Sequence, residues 1–180
     1  MKANLLKLII FISLFIFWAG FTSAQTVSLS PQNSEVAKNT TFSATVNVSS
    51  VTNLFGVSFD LDFNPSLVDF IDATEGEFLK QSCQTSLMTA ENPAGKLIFG
   101  LTRLGSSCGS VSGSGTIATL NFKSLDNVGN SSLSFSKNSL CILNGSACNY
   151  ITGTWNSGSV DVKVTADTTP PSAPTGLMVS

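Results

Sequence analysis

The run Asn53-Leu-Phe-Gly-Val-Ser-Phe-Asp-Leu-Asp-Phe-Asn-Pro-Ser-Leu-Val68 decides the architecture. Val57, Phe59, Leu61 and Phe63 alternate with Ser58, Asp60 and Asp62, so one face of an extended strand is apolar and the other polar. Asn64-Pro65 then stops the run, because Pro has no N–H for a ladder and Asn accepts turn conformations. One buried face and one wet face is the pattern of an antiparallel sheet packed on a core.

The same period recurs outward from this run. Phe42, Ala44, Val46 and Val48 alternate with Ser43, Thr45 and Asn47. Ala118, Leu120 and Phe122 do so with Thr119 and Asn121, and Val160, Val162 and Val164 with Asp161 and Lys163. Shorter strands are expected at Val27–Leu29, Leu67–Ala73, Ser86–Ala90, Leu97–Thr102 and Ser132–Ser136, with turn formers between them. No amphipathic helix of useful length is visible. The reading is all-β, a sandwich in one domain over residues 25–164.

The ends are different. Lys2 and Lys7 precede an apolar run, Leu8 to Phe17, and Thr22-Ser23-Ala24 supplies small residues. This is a secretory signal peptide over residues 1–24; roughly 14 apolar residues fall short of the roughly 20 that span a bilayer. The mature chain is therefore expected to start near Gln25, secreted or at the cell surface, with no membrane insertion once the signal is gone. At the other end Asp167-Thr-Thr-Pro-Pro-Ser-Ala-Pro-Thr-Gly176 is an extended Pro-rich linker. Residues 165–180 resemble the linker and first strand of a truncated fibronectin type III module.

Charge and chemistry exclude several classes. Lys2 and Lys7 leave with the signal, so 9 basic residues become 7 against 11 acidic ones, a net charge near -4. No basic stripe is available for nucleic acid. The chain has no His, hence no Ser-His or Cys-His pair, and no enzyme is expected. Asp60, Asp62, Asp69, Asp72, Glu75 and Glu77 are the carboxylates from which a glycosidase pair would come; a soluble charged face accounts for them as well. No calcium loop, metal site or cofactor motif is present. Gly113-x-Gly115-x-x-Ala118 matches a dinucleotide fingerprint in letters only, since a strand rather than a helix follows it.

Four cysteines in an exported chain imply two disulfides. Asn144-Gly145 signals a type I′ hairpin that sets Cys141 opposite Cys148, at a ladder distance suited to a bond. Elimination leaves Cys83 with Cys108. Tyr150 and Trp155 are candidate sugar contacts, because a polysaccharide-binding sandwich needs exposed rings.

The opening run is also similar to the third and fourth strands of cohesin domains. The carriers are Gly56, the alternating strand, the Phe63-Asn64-Pro65 corner and Leu67. Glu75-Gly-Glu-Phe-Leu79, Gly115-Thr-Ile-Ala-Thr-Leu-Asn-Phe-Lys123 and Gly158-Ser-Val-Asp-Val162 extend the likeness across Val27 to Val164. The resemblance implies a nine-stranded jelly-roll β-sandwich that binds a protein partner, a dockerin-like module or another surface protein. It implies contact on the outward face of the third and sixth strands, where alternation places Ser58, Asp60, Ile98, Gly100 and Thr102. Gly56 and Ser58 occupy positions where the first type of cohesin carries polar residues such as Asn and Asp, and the Gly brings the chain nearer the second type. The alternative is a carbohydrate-binding module that contacts polysaccharide through Tyr150 and Trp155.

Overall fold

A computed structural model describes residues 24–92, 95–105 and 107–164. The proposed signal peptide up to residue 23 and the linker at 165–180 lie outside the described residues. The described chain forms β1 (Thr26–Ser30), β2 (Asn33–Ala37), β3 (Thr41–Asp62), β4 (Val68–Glu75), the single-turn helix α1 (Glu77–Lys80) and β5 (Thr85–Asn92). It continues with β6 (Lys96–Arg103), β7 (Val111–Ser124), β8 (Gly129–Asn144), β9 (Ala147–Ile151), β10 (Thr154–Asn156) and β11 (Gly158–Lys163). This is the all-β sandwich expected, cut into eleven strand segments among the described residues rather than nine.

The difference in number has local causes. The expected strands at Phe42–Val48 and Val57–Phe63 are two halves of one strand, β3. Its first half pairs with β1 and β7, its second half with β6 and β8. Ser50 and Asn53 turn the chain from one layer to the other, both with φ 55°. Their backbone N–H groups donate to Ser114 Oγ (3.1 Å) and Ser112 Oγ (2.9 Å) on β7, which satisfies the donors that the corner would orphan. Pro31 separates β1 from β2, and β2 (NSEVA) has too little apolar alternation to be read as a strand.

One layer runs β4–β7–β3–β1–β10 and the other β5–β6–β3–β8–β9. Strand β11 pairs in parallel with β2 and antiparallel with the start of β8. The core between them is aromatic. Phe59 stacks on Phe99 with centroids 4.6 Å apart, and Phe135 meets Phe59 edge-on at 5.0 Å. Phe122 is fully buried against Phe42, Phe63 and Phe70. Each such side chain contributes about 1.5–3 kcal/mol by leaving water.

Helix α1 buries Phe78 and Leu79 on β7. Gly76 is required there: a Cβ at that position would lie 2.1 Å from the carbonyl oxygen of Thr116.

Candidate functional site

The outward face of the β5–β6–β3–β8–β9 layer is built by register. Gly56 lies opposite Thr102, Ser58 opposite Gly100, and Asp60 opposite Ile98. On the other side of β3, Gly56 faces Cys141, Ser58 faces Ser139 and Asp60 faces Ser136. The five residues expected on this face are therefore brought together in one patch, and Phe59, Leu61, Leu97, Phe99 and Leu101 point into the core. Ile98 is 47% exposed, which excludes a strand buried on both sides.

The centre of the patch is hollow because its floor has almost no side chains. Gly56, Ser58, Gly100 and Ser139 line a shallow groove of about 320 Å³. Ser58 Oγ and Ser139 Oγ share a hydrogen bond at 2.9 Å, and a Cβ at Gly100 would meet no atom within 4 Å. Met88 from β5 and Tyr150 from β9 stand at its sides, with the Cys141–Cys148 disulfide beside Tyr150. Met88 and Tyr150 are not among the five residues expected on this face. Alternation through Ser86–Ala90 marks Met88 as outward, whereas Tyr150 needs the register of β9, which no local pattern supplies.

One end of the patch is charged. Asp60 faces outward in the ladder yet is buried, which corrects its expected exposure. Lys96 Nζ (3.4 Å) and Lys137 Nζ (3.7 Å) lie over its carboxylate. Lys137, at φ 45°, sits in the bulge where β8 slips past β3, and the bulge swings it toward Asp60. Asp62 takes Lys96 at 2.5 Å and the Ser136 hydroxyl at 2.5 Å. Those hydrogen bonds, Lys96 first, hold the Asp62 carboxyl below its ordinary value, and Asp62 in turn raises Lys96.

Three of the other candidate carboxylates have partners of their own, Glu77 in an ion pair with Lys80. Asp72 accepts from Asn121 and Glu75 from Thr85. Asp60 and Asp62 share one lysine instead of flanking a cleft, so no glycosidase pair is assembled from them. Among the described residues no group of three or more His, Cys, Asp or Glu could hold a metal ion, and no helix is long and apolar enough to cross a membrane.

The two sugar candidates are separated. Tyr150 is exposed beside the groove. Trp155 packs its ring on Phe59 and Phe135, with its indole N–H donating to the Thr152 carbonyl. It plugs the sandwich rather than extending a ring platform.

Both disulfides pair as expected, Cys83–Cys108 and Cys141–Cys148, with Cα atoms 5.8 Å and 5.4 Å apart. The hairpin register, however, differs. Asn144 faces Ala147, Leu143 faces Cys148 and Cys141 faces Tyr150. Gly145 takes the first central turn position with φ 64°, as a type II′ turn requires, where a type I′ turn needs positive φ at both central residues. The partner of Cys141 moves by two residues, so side chains keep their faces and the bond forms on the diagonal.

The cohesin-domain family model matches residues 27–162. The chain belongs to the cohesin family. Solved cohesins share the fold at low identity. The seventh type I cohesin of ScaB from Pseudobacteroides cellulosolvens superposes with a TM-score of 0.68 at 15% identity, over 82% of this chain and 97% of that one. A type II cohesin from the cellulosome of Acetivibrio cellulolyticus gives 0.64 at 15%, over 77% and 95%. The sixth cohesin of scaffoldin B from the same organism, solved in complex with a Cel5 dockerin mutant, gives 0.63 at 16%, over 78% and 100%. No curated protein sequence matches significantly. Cohesin domains are non-catalytic modules that bind dockerins in protein–protein interactions. They are typically cell-surface or extracellular components, a setting that two disulfides fit.

Proposed function

We propose that this cohesin domain is exported and captures a protein partner, a dockerin-like module or another surface protein, without catalysis. Capture uses the outward face of β5–β6–β3–β8–β9. The supporting observation is the groove floored by Gly56, Ser58, Gly100 and Ser139. Three exposed apolar side chains, Ile98, Met88 and Tyr150, lie around it. A flat surface with a few apolar anchors and little side chain to displace suits a protein hot spot. Thr102 and the Asp60–Lys96–Asp62–Lys137 cluster supply the polar rim. Gly56 ahead of Phe59 supports a place nearer the second type of cohesin. A polysaccharide is the less favoured ligand, because Tyr150 stands without Trp155. Signal removal after Ala24, a domain at residues 25–164 and a linker toward a further module at 165–180 complete the proposal.

The test is retention of the full mature chain on immobilised type I and type II dockerins. Gly100→Arg places a charge in the groove, where that position has open space, Ile98→Arg adds a second on the same face, and the buried Asp60 is left intact. The expected result is a loss of roughly tenfold or more in affinity with the melting temperature nearly unchanged. Undiminished retention would place the binding surface elsewhere. Retention on insoluble polysaccharide but on no dockerin would establish the carbohydrate alternative.

A further inference from the structure

Gln25 immediately precedes β1. Its carbonyl accepts a hydrogen bond from the Thr154 N–H at 2.9 Å, and a Cβ on Gly153 would come within 3.1 Å of that oxygen. Val27, two residues on, is completely buried. The side chain of Gln25 is poorly served by this position: its Oε1 is buried with no hydrogen-bond partner. No other buried side-chain nitrogen or oxygen among the described residues shares that condition. Burying an amide oxygen unpaired gives up its hydration for nothing in return. Ala24, by contrast, is exposed, and Thr22-Ser23-Ala24 is the small-residue exit that a signal peptidase reads.

We propose that Gln25 is a modification site: cleavage of the Ala24–Gln25 bond makes it the chain terminus, and it then closes to pyroglutamate. The inference rests on the export reading above. The new α-amine has an ordinary pKa of about 7.7–8, so near neutral pH a sizeable share is uncharged and nucleophilic. Its lone pair attacks Cδ of the same residue, forming the N–Cδ bond of a five-membered lactam. The Cδ–Nε2 bond breaks, and Nε2 leaves as ammonia, carrying the proton lost by the α-nitrogen. Oε1 stays as the lactam carbonyl, and no oxidant or reductant is involved. The attack is intramolecular, which favours it over any external acyl transfer.

The structure gives the step a consequence. Closing the ring draws Cδ back onto the residue's own nitrogen, so Oε1 leaves the buried position where it has no partner. The carbonyl that accepts from Thr154 is outside the ring and keeps its bond. The α-ammonium disappears, leaving a neutral end where β1 lies between β3 and β10, and aminopeptidases find no free amine.

The experiment is to express the full chain with its own leader in a secreting bacterial host, hold the exported protein at neutral pH and sequence its N-terminal peptide by tandem mass spectrometry. The expected peptide starts at residue 25, is lighter by one ammonia than a Gln-initiated one, and resists Edman degradation until treated with pyroglutamyl aminopeptidase. Gln25→Ala should give a free, labelled amine. A peptide starting at Met1 would overturn export and this inference with it. A start at another residue, or a persistent free amine on Gln25, would overturn the inference while leaving export and the binding face untouched.

Discussion

Arg103 shows how much a single residue can organise without meeting an opposite charge. Its side chain is buried, and the guanidinium spends its donors on backbone carbonyls: Nε to Gly109 at 2.7 Å, one terminal nitrogen to Gln81 at 2.9 Å, the other to Leu79. The planar fork of Arg suits three acceptors set around it; the compact ammonium of Lys does not. These carbonyls belong to the end of α1, the segment after it and the loop that carries Cys108, so Arg103 fastens that corner to β6. Arg103→Met should destabilise the domain by at least about 2 kcal/mol, because it strands buried acceptors, and Arg103→Lys should fall between it and the wild type. Equilibrium urea unfolding measures both, and a shift within error for the Met variant would mean water replaces the guanidinium.

At the scale of the element, the two disulfides act on different kinds of structure. Cys141–Cys148 closes a hairpin with a sequence separation of 7, already ordered by the β8–β9 ladder. Cys83–Cys108 closes a separation of 25 and ties the segment after α1 to the loop before β7. Chain entropy assigns roughly 2.5 kcal/mol to the first and roughly 3.5 kcal/mol to the second. Removing Cys83 and Cys108 together should therefore lower the melting temperature more than removing Cys141 and Cys148. The reverse order, read by calorimetry of the two double Ser variants, would show that β9 depends on its bond to stay paired. In that case Tyr150 would lose its place beside the groove as well.

The whole molecule is held by strands that serve both layers. Since β3 contributes to each sheet, the two sheets cannot form independently, and a single cooperative transition is expected. Its pH dependence follows from the surface charge pairs. Asp62 and Asp126 are lowered from 3.8, by Lys96 and Ser136 and by Lys38 and Asn39 respectively. Their contribution is complete above that ordinary value and disappears as pH falls through the lowered folded values. Lys96 and Lys163 are raised from 10.5 by Asp62 and Glu35, so their contribution is complete below 10.5 and lost above it. With no His in the chain, stability should be level from about pH 5 to 9. Asp62→Asn should lower the melting temperature across that plateau and converge with the wild type in strong acid. A constant difference down to the lowest pH would mean that Asp62 acts through packing alone.

What the sequence determined by itself is what local alternation can encode. Period two separated Phe59, Leu61, Phe99 and Leu101 from Ser58, Asp60, Ile98, Gly100 and Thr102, because side chains of a strand reverse at every residue whatever the strand pairs with. The same rule makes the disulfide hairpin legible, since a slip of two residues leaves faces unchanged. Tertiary structure alone decided which faces meet. The kink at Ser50 and Asn53, which makes two expected strands into one, depends on hydroxyls from β7 far along the chain. The cover over Asp60 depends on two lysines converging on it, Lys96 from β6 and Lys137 from a bulge in β8. The pairing of Met88 and Tyr150 across a floor of small residues depends on five strands stacking in one order. Trp155 and Tyr150 are close in sequence and similar in chemistry, yet one packs against the core and the other stands in solvent, because the neighbours of a side chain are set by strand order, and strand order is a property of the assembled sheets.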